Sequence, residues 1–482
     1  MPGREGRAFY PPSARFPAST SKTPPYSLAR EVQSSVLFIA LSMKVKPRLK
    51  QCENHYSCRN KKKERSTMSE RATTKLTEAP LTLKKFEEAC EAVNRVTLDT
   101  ELIYSDYFSE QTGGKVYLKP ENMQRTGAYK VRGAYYKIST LSEEARARGL
   151  ITASAGNHAQ GVAYAAREFG ARAVIVMPTT TPLIKVNRTK ALGAEVVLHG
   201  DVYDDAEAHA HALAQEHGYT FIHPFDDPDV ATGQGTIAME IIKDLPLVDI
   251  ILVPVGGGGL ATGVSTLAKL LKPNVKVIAV EPEGAACLKA SLEAGEVVTL
   301  PQVNTIADGT AVKTPGSRIF PYLQQNLDEV ITVPDQELVT AFLDMVENHK
   351  MVVENSGLLT VAALRHIDGR DKKVVSVLSG GNMDVITMSS VVQQGLILRD
   401  RIFTVSVLLP DKPGELHRVS GLIADVNGNV IKLEHNQFVT INRNAAVELR
   451  ITLEAFGTAH KKQIISVLEE NGYRPRLVRT RS

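Results

Sequence analysis

Hydrophobic and polar positions follow two alternating periods over residues 115–398. Short runs of β-branched residues are separated by stretches of about 10 to 15 residues in which apolar side chains recur at helical spacing. In the stretch 158–169, Val162, Ala166 and Phe169 fall on one helical face, and Gly170 follows as a C-terminal cap. The predicted strands are 116–118, 150–153, 174–177, 196–198, 220–222, 250–255, 277–280, 330–333 and 374–378.

This repetition of strand and helix predicts an α/β fold with parallel sheets covered by helices. Ligands of such sheets bind at the carboxyl ends of the strands. Residues that directly follow a strand are therefore the first candidates for chemistry.

A run of glycines follows the apolar strand 250–255: Gly256, Gly257, Gly258 and Gly259, then Leu260 and a helical stretch. Bare amides at a helix N-terminus can cradle a phosphate. The same segment satisfies G-x-G-x-x-A, and Glu281 ends the next strand, as a ribose-binding acid does in dinucleotide sites. A phosphate cup, a nicotinamide site and a tight structural turn all remain open.

The strand 150–153 leads into a second loop, which consists of Ser154, Ala155, Gly156, Asn157 and His158. Two of these side chains are polar, and the amides around the glycine could hold a carboxylate. Serine or asparagine at a helix start is equally expected as a simple N-cap.

Two further segments carry candidate groups. Ser379, with Gly380, Gly381 and Asn382 after it, can face a ligand ring or form a turn. Lys130 lies beside an aromatic residue in a largely uncharged stretch apart from its arginine neighbours. Desolvation and nearby cations could lower its pKa as a Schiff-base lysine requires, and an ordinary surface lysine is the alternative.

The composition, with 23% charged and 43% hydrophobic residues, is that of a soluble globular protein, and 482 residues allow two or three domains. The four cysteines (52, 58, 90 and 287) form no disulfide framework, which favours a reducing compartment. Cys52 and Cys58 flank His55, but this segment has too few ligands for zinc, so we predict no metal site.

The net charge of +4 is unevenly distributed. Residues 1–67 hold 14 Lys+Arg and 4 Asp+Glu, whereas the rest of the chain has a balance of −6. The acidic body argues against a nucleic-acid partner, and the longest apolar run of the basic segment, 36–41, is too short to cross a membrane. We predict that residues 1–67 form a disordered basic extension.

The extension has three interpretations: an organellar transit peptide, a functional basic arm, or an upstream stretch included by a misplaced start ahead of Met68. We favour the misplaced start, and with it a cytoplasmic location.

Four segments occur in one order: T-G-A-Y-K-V-R-G-A, S-A-G-N-H, G-G-G-G-L and S-G-G-N. Through them, residues 80–398 resemble the pyridoxal-phosphate-dependent serine/threonine dehydratases of the tryptophan-synthase-β-like fold. The resemblance implies a two-lobed fold type II catalytic domain, with a smaller lobe at about 149–225 inserted in the larger one.

The resemblance also implies roles for individual residues. Lys130 would hold pyridoxal 5'-phosphate as a Schiff base, Asn157 would bond its phenolic oxygen, and Ser379 would face its pyridine nitrogen. The segment from Gly256 to Leu260 would bind the phosphate, and the loop from Ser154 to His158 would receive the substrate carboxylate.

The implied activity is that of a threonine ammonia-lyase: elimination of water from L-threonine to give 2-oxobutanoate and ammonia, with side activity on L-serine, in isoleucine biosynthesis or threonine catabolism. A serine dehydratase or serine racemase is the alternative, and a nicotinamide oxidoreductase or a silent amino-acid sensor is more remote. Racemising relatives carry a hydroxyl where this chain has Ala155, and cation-binding relatives carry Asp where it has Cys287, so we expect no divalent-metal requirement. The E-P-x-G turn of the family lacks its proline, since it reads Glu354-Asn355-Ser356-Gly357.

Residues 401–480 resemble one ACT domain, a small βαββαβ module. The resemblance rests on D-x-P-G-x-L at 411–416 and on the strand that follows the N-G-N turn at 427–429. It implies a homodimer or homotetramer and an amino-acid effector, for which isoleucine, opposed by valine, is the candidate. A purely structural dimerisation unit is the alternative.

Overall fold

The computed structural model describes residues 81–437 and 447–480. The predicted basic extension, with Cys52, His55 and Cys58, lies outside the described residues. The strands are β1 (Ile103–Tyr104), β2 (Lys115–Lys119), β3 (Leu150–Ala153), β4 (Ala173–Met177), β5 (Glu195–Leu198), β6 (Thr220–Phe221), β7 (Ile250–Pro254), β8 (Lys276–Pro282), β9 (Glu329–Val333), β10 (Lys373–Val377), β11 (Ile402–Leu409), β12 (Asn429–Asn436), β13 (Val447–Glu454) and β14 (Arg476–Val478).

The helices are α1 (Leu83–Val93), α2 (Asp106–Thr112), α3 (Lys130–Thr140), α4 (Glu143–Arg148), α5 (Asn157–Glu168), α6 (Leu183–Ala191), α7 (Tyr203–His217), α8 (Pro228–Asp244), α9 (Gly259–Leu271), α10 (Cys287–Ala294), α11 (Phe320–Asn326), α12 (Asp335–Asp344), α13 (Asn355–Ala362), α14 (Val385–Leu398), α15 (Glu415–Asp425) and α16 (Thr458–Glu470). None of these described helices is long and apolar enough to span a bilayer.

The larger sheet has six strands in the order β1-β2-β10-β7-β8-β9, all parallel except the short edge strand β1. Successive residues of β7 enter opposite cores: Ile250 and Leu252 pack on one face, Ile251 and Val253 on the other. A sheet buried on both faces requires continuous apolar strands, which is the pattern that predicted them. All nine predicted strands are present, and only β1 within this sheet was not predicted.

The smaller sheet has four parallel strands in the order β5-β4-β3-β6. In the chain it lies between β2 and β7, both of which belong to the larger sheet. Its core also takes Ala89 and Val93 from α1 and Ala134 and Ile138 from α3, so two helices outside residues 150–221 cover one of its faces.

The C-terminal segment runs β11-α15-β12-β13-α16-β14, which is the predicted βαββαβ order. Its antiparallel sheet has the order β12-β13-β11-β14. Alternate residues of β11, from Phe403 to Leu409, enter one core with Val419 and Ile423 of α15, as a sheet with one buried face requires. This architecture is compatible with an ACT domain.

Helix α14 leads from the larger sheet to this C-terminal segment. A Cβ at Gly395 would lie 2.7 Å from Leu343 Cδ1, so the helix packs closely against α12. Beyond α14, Arg399 donates to Asp344 at 2.6 Å and to Glu347 at 2.9 Å. Arg401 also pairs with Glu347, so the connection to β11 is held by ion pairs.

Three helices of the larger lobe touch backbone to backbone. A Cβ at Gly133 of α3 would lie 2.6 Å from Val230 O of α8, and a Cβ at Gly235 of α8 would lie 2.7 Å from Gly263 O of α9. A Cβ at Gly263 would overlap Ala231 O. We call these contacts the glycine seam, and they fix α3 and α9 against α8.

A buried ion cluster holds α3 from its other side. Arg132 donates to Glu121 at 2.8 Å and to Glu240 at 2.6 Å, and Lys119 donates to Glu240 at 2.6 Å. Arg132 and Glu121 are fully buried. Loss of the Arg132 charge would leave the buried Glu121 carboxylate uncompensated, whereas Glu240 would keep Lys119 as its partner.

The glycine seam generates a stability prediction. Gly263→Ala should destabilise the protein by about 1–3 kcal/mol or more, because the added methyl group meets the α8 backbone, which cannot move aside as a side chain can. Urea unfolding followed by circular dichroism measures the change. The matched control is Gly421→Ala in α15, where a Cβ meets nothing within 4 Å. That variant should be neutral or more stable by about 0.5–1 kcal/mol, and equal effects of the two substitutions would contradict the account of the seam.

Candidate active site

The predicted loops follow β3, β7 and β10, and the loop after β10 contacts the segment before Lys130 directly. Tyr129 N donates to Ser379 O at 3.1 Å, and Gly381 N donates to Gly127 O at 2.9 Å. Ala128 and Gly380 form an isolated antiparallel bridge. The segment before Lys130 is therefore fixed to the loop after β10, although about 250 residues separate them in the chain.

Lys130 begins α3, and its Nζ donates to Pro224 O at 2.7 Å. Burial lowers the pKa of Lys130 to about 8, as the sequence predicted. The expected contribution of neighbouring cations is wrong, because the charged group that acts on Lys130 is Glu354, which raises the pKa. The nearby Arg132 is neutralised by the carboxylates of the ion cluster.

The glycine loop leads into α9. Gly258 has φ +98°, a conformation that favours glycine, and it is the N-cap of a helix without a side-chain cap. A Cβ at Gly257 would overlap the Phe225 ring, and one at Gly259 would lie 2.9 Å from Phe225 Cα. The first amides of α9 therefore lack side-chain partners, and this arrangement fits the phosphate of pyridoxal phosphate.

The loop from Ser154 to His158 also opens a helix without a side-chain cap. Gly156 is the N-cap of α5, and a Cβ there would meet nothing within 4 Å. Ser154 Oγ accepts from Gly156 N at 3.2 Å, within the turn itself. The N-cap interpretation of Ser154 and Asn157 is therefore wrong. The free amides and the open space beside Gly156 fit a carboxylate.

His158 follows in α5, but its ring does not serve as a cap either. The imidazole is buried, and its Nε2 lies 2.9 Å from Ile222 O. Burial lowers the pKa of His158 to about 3, with Lys130 contributing, so the ring is neutral. The ring Nδ1 is buried without a hydrogen-bond partner among the described residues, so the backbone amide is the group of His158 that a ligand can reach.

Asn157 leads to two residues that the sequence reasoning did not assign to the site. Its Nδ2 donates to Glu354 Oε1 at 2.7 Å, and its Oδ1 accepts from Asn382 Nδ2 at 2.8 Å. Burial, with Asp308 contributing, raises the pKa of Glu354 to about 7. Asn382 closes the S-G-G-N segment and Glu354 heads the E-x-x-G turn, so both lay within recognised motifs.

Ser379 lies directly beyond the carboxyl end of β10 and is 4% exposed. A Cβ at the following Gly380 would overlap Glu354 Oε1 and lie 3.0 Å from Asn157 Nδ2. The absence of a side chain at Gly380 therefore lets the Glu354 carboxyl and the Asn157 amide meet.

Glu281 does not have the environment of a ribose-binding acid. It is fully buried, and its two oxygens accept from Leu288 N and Lys289 N at 2.8 Å each. Glu281 is therefore not available to bind a ribose hydroxyl, which argues against the nicotinamide interpretation of G-x-G-x-x-A. Nearby, Cys287 Sγ lies 3.8 Å from Gly256 O. Within the described ranges, no three His, Cys, Asp or Glu side chains gather as metal ligands.

Comparisons with known proteins agree with this geometry. A sequence model of a family described as pyridoxal-phosphate dependent enzyme matches residues 93–380. The L-threonine ammonia-lyase of Thermotoga maritima is 43% identical over 399 residues, which cover 83% of this chain and 100% of that protein.

Two solved structures are also similar. The processed form of threonine deaminase isoform 2 from Solanum lycopersicum is 40% identical with a TM-score of 0.62, and the match covers 64% of this chain and 92% of that chain. Maize serine racemase is 33% identical with a TM-score of 0.62, and the match covers 66% and 98% of the two chains.

Proposed function

The chain belongs to the family of pyridoxal-phosphate dependent enzymes, and we propose that it is a threonine ammonia-lyase that converts L-threonine to 2-oxobutanoate and ammonia. One observation carries the proposal: a buried lysine of lowered pKa lies near two helix N-termini that have no side-chain cap. Its Nζ bonds to Pro224 O, and the next residue, Phe225, packs on the glycine loop before α9. The start of α5 is bonded through Asn157 to Asn382, in the loop that contacts the segment before the lysine. One terminus suits the phosphate of the cofactor and the other suits the carboxylate of an amino acid. L-Serine is expected as a second substrate, since one methyl group in a pocket is worth only about 1–3 kcal/mol.

We assign the cofactor-binding roles as follows. Lys130 would hold pyridoxal phosphate covalently, the amides from Gly256 to Leu260 would bind its phosphate, Asn157 would bond its phenolic oxygen, and Ser379 would face its ring nitrogen. The bound cofactor supplies an electron sink for negative charge at the substrate α-carbon. A hydroxyl at 379, unlike a carboxylate, does not keep the ring nitrogen protonated, and this favours elimination over transamination.

The groups of the protein then have two roles, which are binding of the substrate and transfer of a proton. The loop from Ser154 to His158 would hold the substrate carboxylate through its free amides and so orient the α-carbon. These are the amides of Ala155, Asn157 and His158, because Ser154 N already donates to Val176 O and Gly156 N to Ser154 Oγ. Lys130, once its amine is free, would remove the α-proton. Its lowered pKa leaves a useful fraction of the amine neutral near physiological pH. The β-hydroxyl would leave as water with the proton that Lys130 took from the α-carbon, and the released enamine would hydrolyse to the oxo acid and ammonia.

A racemase would need a second proton donor on the opposite face of the substrate. Relatives that racemise carry a hydroxyl in the loop, whereas Ala155 has only a methyl group. This difference favours the lyase, even though maize serine racemase is among the similar structures.

We further propose that no divalent cation is required. Both oxygens of Glu281 already accept backbone hydrogen bonds, and Cys287 takes the place of the second carboxylate. The free cysteines at 90 and 287 are consistent with a reducing, cytoplasmic location.

The C-terminal segment supports a proposal of regulation. We propose that it mediates a homodimer or homotetramer and binds a branched-chain amino acid, isoleucine with valine opposing it. Helix α14 begins three residues after Asn382 and ends at the ion pairs of Arg399, so it connects this segment directly to the active site.

The first prediction from the proposed function concerns Lys130→Ala. The wild-type protein should absorb near the edge of the visible range, and the variant should lose that band. The rate of threonine-dependent 2-oxobutanoate formation should fall about 100-fold to 10,000-fold in the variant. The matched control is Lys137→Ala on the same helix, whose Nζ instead pairs with Asp227 at 2.9 Å. A wild-type protein that takes up no pyridoxal phosphate would contradict the proposed function.

The second prediction concerns metal removal. Dialysis against EDTA should leave the rate of 2-oxobutanoate formation unchanged, because Glu281 already accepts two backbone hydrogen bonds and Cys287 stands in place of a second carboxylate. Activity lost in EDTA and restored by magnesium would contradict this expectation.

The third prediction concerns the effector. Isothermal titration of the full chain with isoleucine should release or absorb measurable heat, and valine should compete for the same sites. Alanine serves as the negative control. The sensing proposal fails if no branched-chain amino acid gives heat, and the structural dimerisation unit would then be the better interpretation.

A further inference from the structure

Asn157 lies in a hydrogen-bonded chain whose direction is fixed at one end. Asn382 Nδ2 donates to Thr126 O at 2.7 Å and to Asn157 Oδ1 at 2.8 Å. Asn157 Nδ2 then donates to Glu354 Oε1 at 2.7 Å. A backbone carbonyl can only accept, so Thr126 requires the amino group of Asn382 on its side. Every later donor and acceptor in the chain follows from that requirement.

The direction of this chain determines which group of Asn157 remains available. Its carboxamide oxygen is occupied by Asn382, and one of its two N–H bonds is given to Glu354. Among the described residues, the second N–H has no protein acceptor. If Asn157 flipped, it would present its oxygen to Glu354 and its amino group to that of Asn382, which would place two pairs of like groups against each other.

The surrounding backbone is built around this chain. A Cβ at Gly127 would lie 2.5 Å from Asn382 Oδ1, and a Cβ at Gly380 would overlap Glu354 Oε1. Glu354 N also donates to Gly380 O at 3.0 Å. The lack of a side chain at both glycines therefore leaves room for Asn382 and Glu354. An incidental contact between these side chains would not need glycine at both positions.

We propose that Glu354 and Asn382 are positioning residues that act through Asn157, holding its carboxamide so that one N–H stays directed to the cofactor oxygen. The inference rests on the proposed function, because it concerns the bound pyridoxal phosphate. It adds two residues to the site and assigns to each a defined polarity: Asn382 must donate and Glu354 must accept.

The charged groups near Glu354 come from three other elements. Asp308 and Lys185, which pair at 3.3 Å, act on it from the 3-10 turn at 308–310 and from α6, and Lys130 interacts with it from α3. Glu354 itself accepts its bond from a neutral amide. Either protonation state keeps an acceptor oxygen for Asn157, so a neutral glutamine should serve in its place.

The test compares Glu354→Gln with Glu354→Ala. In the alanine variant we expect the dissociation constant of pyridoxal phosphate to rise about threefold to tenfold, because one hydrogen bond is lost. In the glutamine variant the constant should stay within about twofold of wild type. The absorption maximum of the bound cofactor should shift only in the alanine variant. Glu337→Gln and Glu337→Ala on α12 are matched controls, since Glu337 pairs with His366 at 2.7 Å and should change neither reading.

Asn382→Ala provides an independent arm that does not alter Glu354. It should weaken cofactor binding by a similar factor, and the double variant with Glu354→Ala should add little, because Asn157 is already free to rotate. This arm also decides the matter if Glu354→Ala fails to fold, as judged by circular dichroism.

The outcomes are distinguishable. A wild-type protein that binds no pyridoxal phosphate overturns the proposed function and this inference with it. A wild-type protein that binds it while Glu354→Ala and Asn382→Ala bind equally well overturns the inference alone. A glutamine variant as weak as the alanine variant also overturns it, because the charge of Glu354, and not the position of Asn157, would then control binding.

Discussion

The contact on which the site most depends is the glycine seam between α3, α8 and α9. Side chains elsewhere in the lobe can adjust by changing rotamer, but Gly133, Gly235 and Gly263 bring backbones together, where no such adjustment exists. Lys130 is the first residue of α3, and the glycine loop leads directly into α9. The packing of three helices therefore sets the relation between the amine and the phosphate-binding amides before any ligand arrives.

The buried ionisable groups near this seam differ in whether their surroundings stabilise the charged form or the neutral form. Arg132 is surrounded by carboxylates that hold it permanently charged. Lys130 and Glu354 bond instead to a carbonyl and an amide, so burial shifts the pKa of each toward its neutral form, to about 8 and about 7. A cation that must stay fixed and an amine that must exchange protons thus lie two residues apart on one helix.

Much of this could be predicted from the sequence, and the reason lies in the local character of the signals. Apolar strands such as 250–254 and the glycines after them can be predicted, because their periodicity and turn chemistry depend on neighbouring residues in the sequence. The roles of Glu354 and Asn382 could not be seen, since they arise from contacts between segments about 200 residues apart. For the same reason the sequence also allows a cap at Asn157, whose partners lie elsewhere in the chain, whereas in the structure Gly156 takes the capping position without a side chain.

Helices α5 and α9 each begin with amides that no side chain satisfies, so the folded protein is incomplete until its ligands supply the missing acceptors. A ligand that binds only the folded state raises stability in proportion to the logarithm of its concentration. The concentration of pyridoxal phosphate would then set how much of this protein survives proteolysis, in addition to how much of it is active.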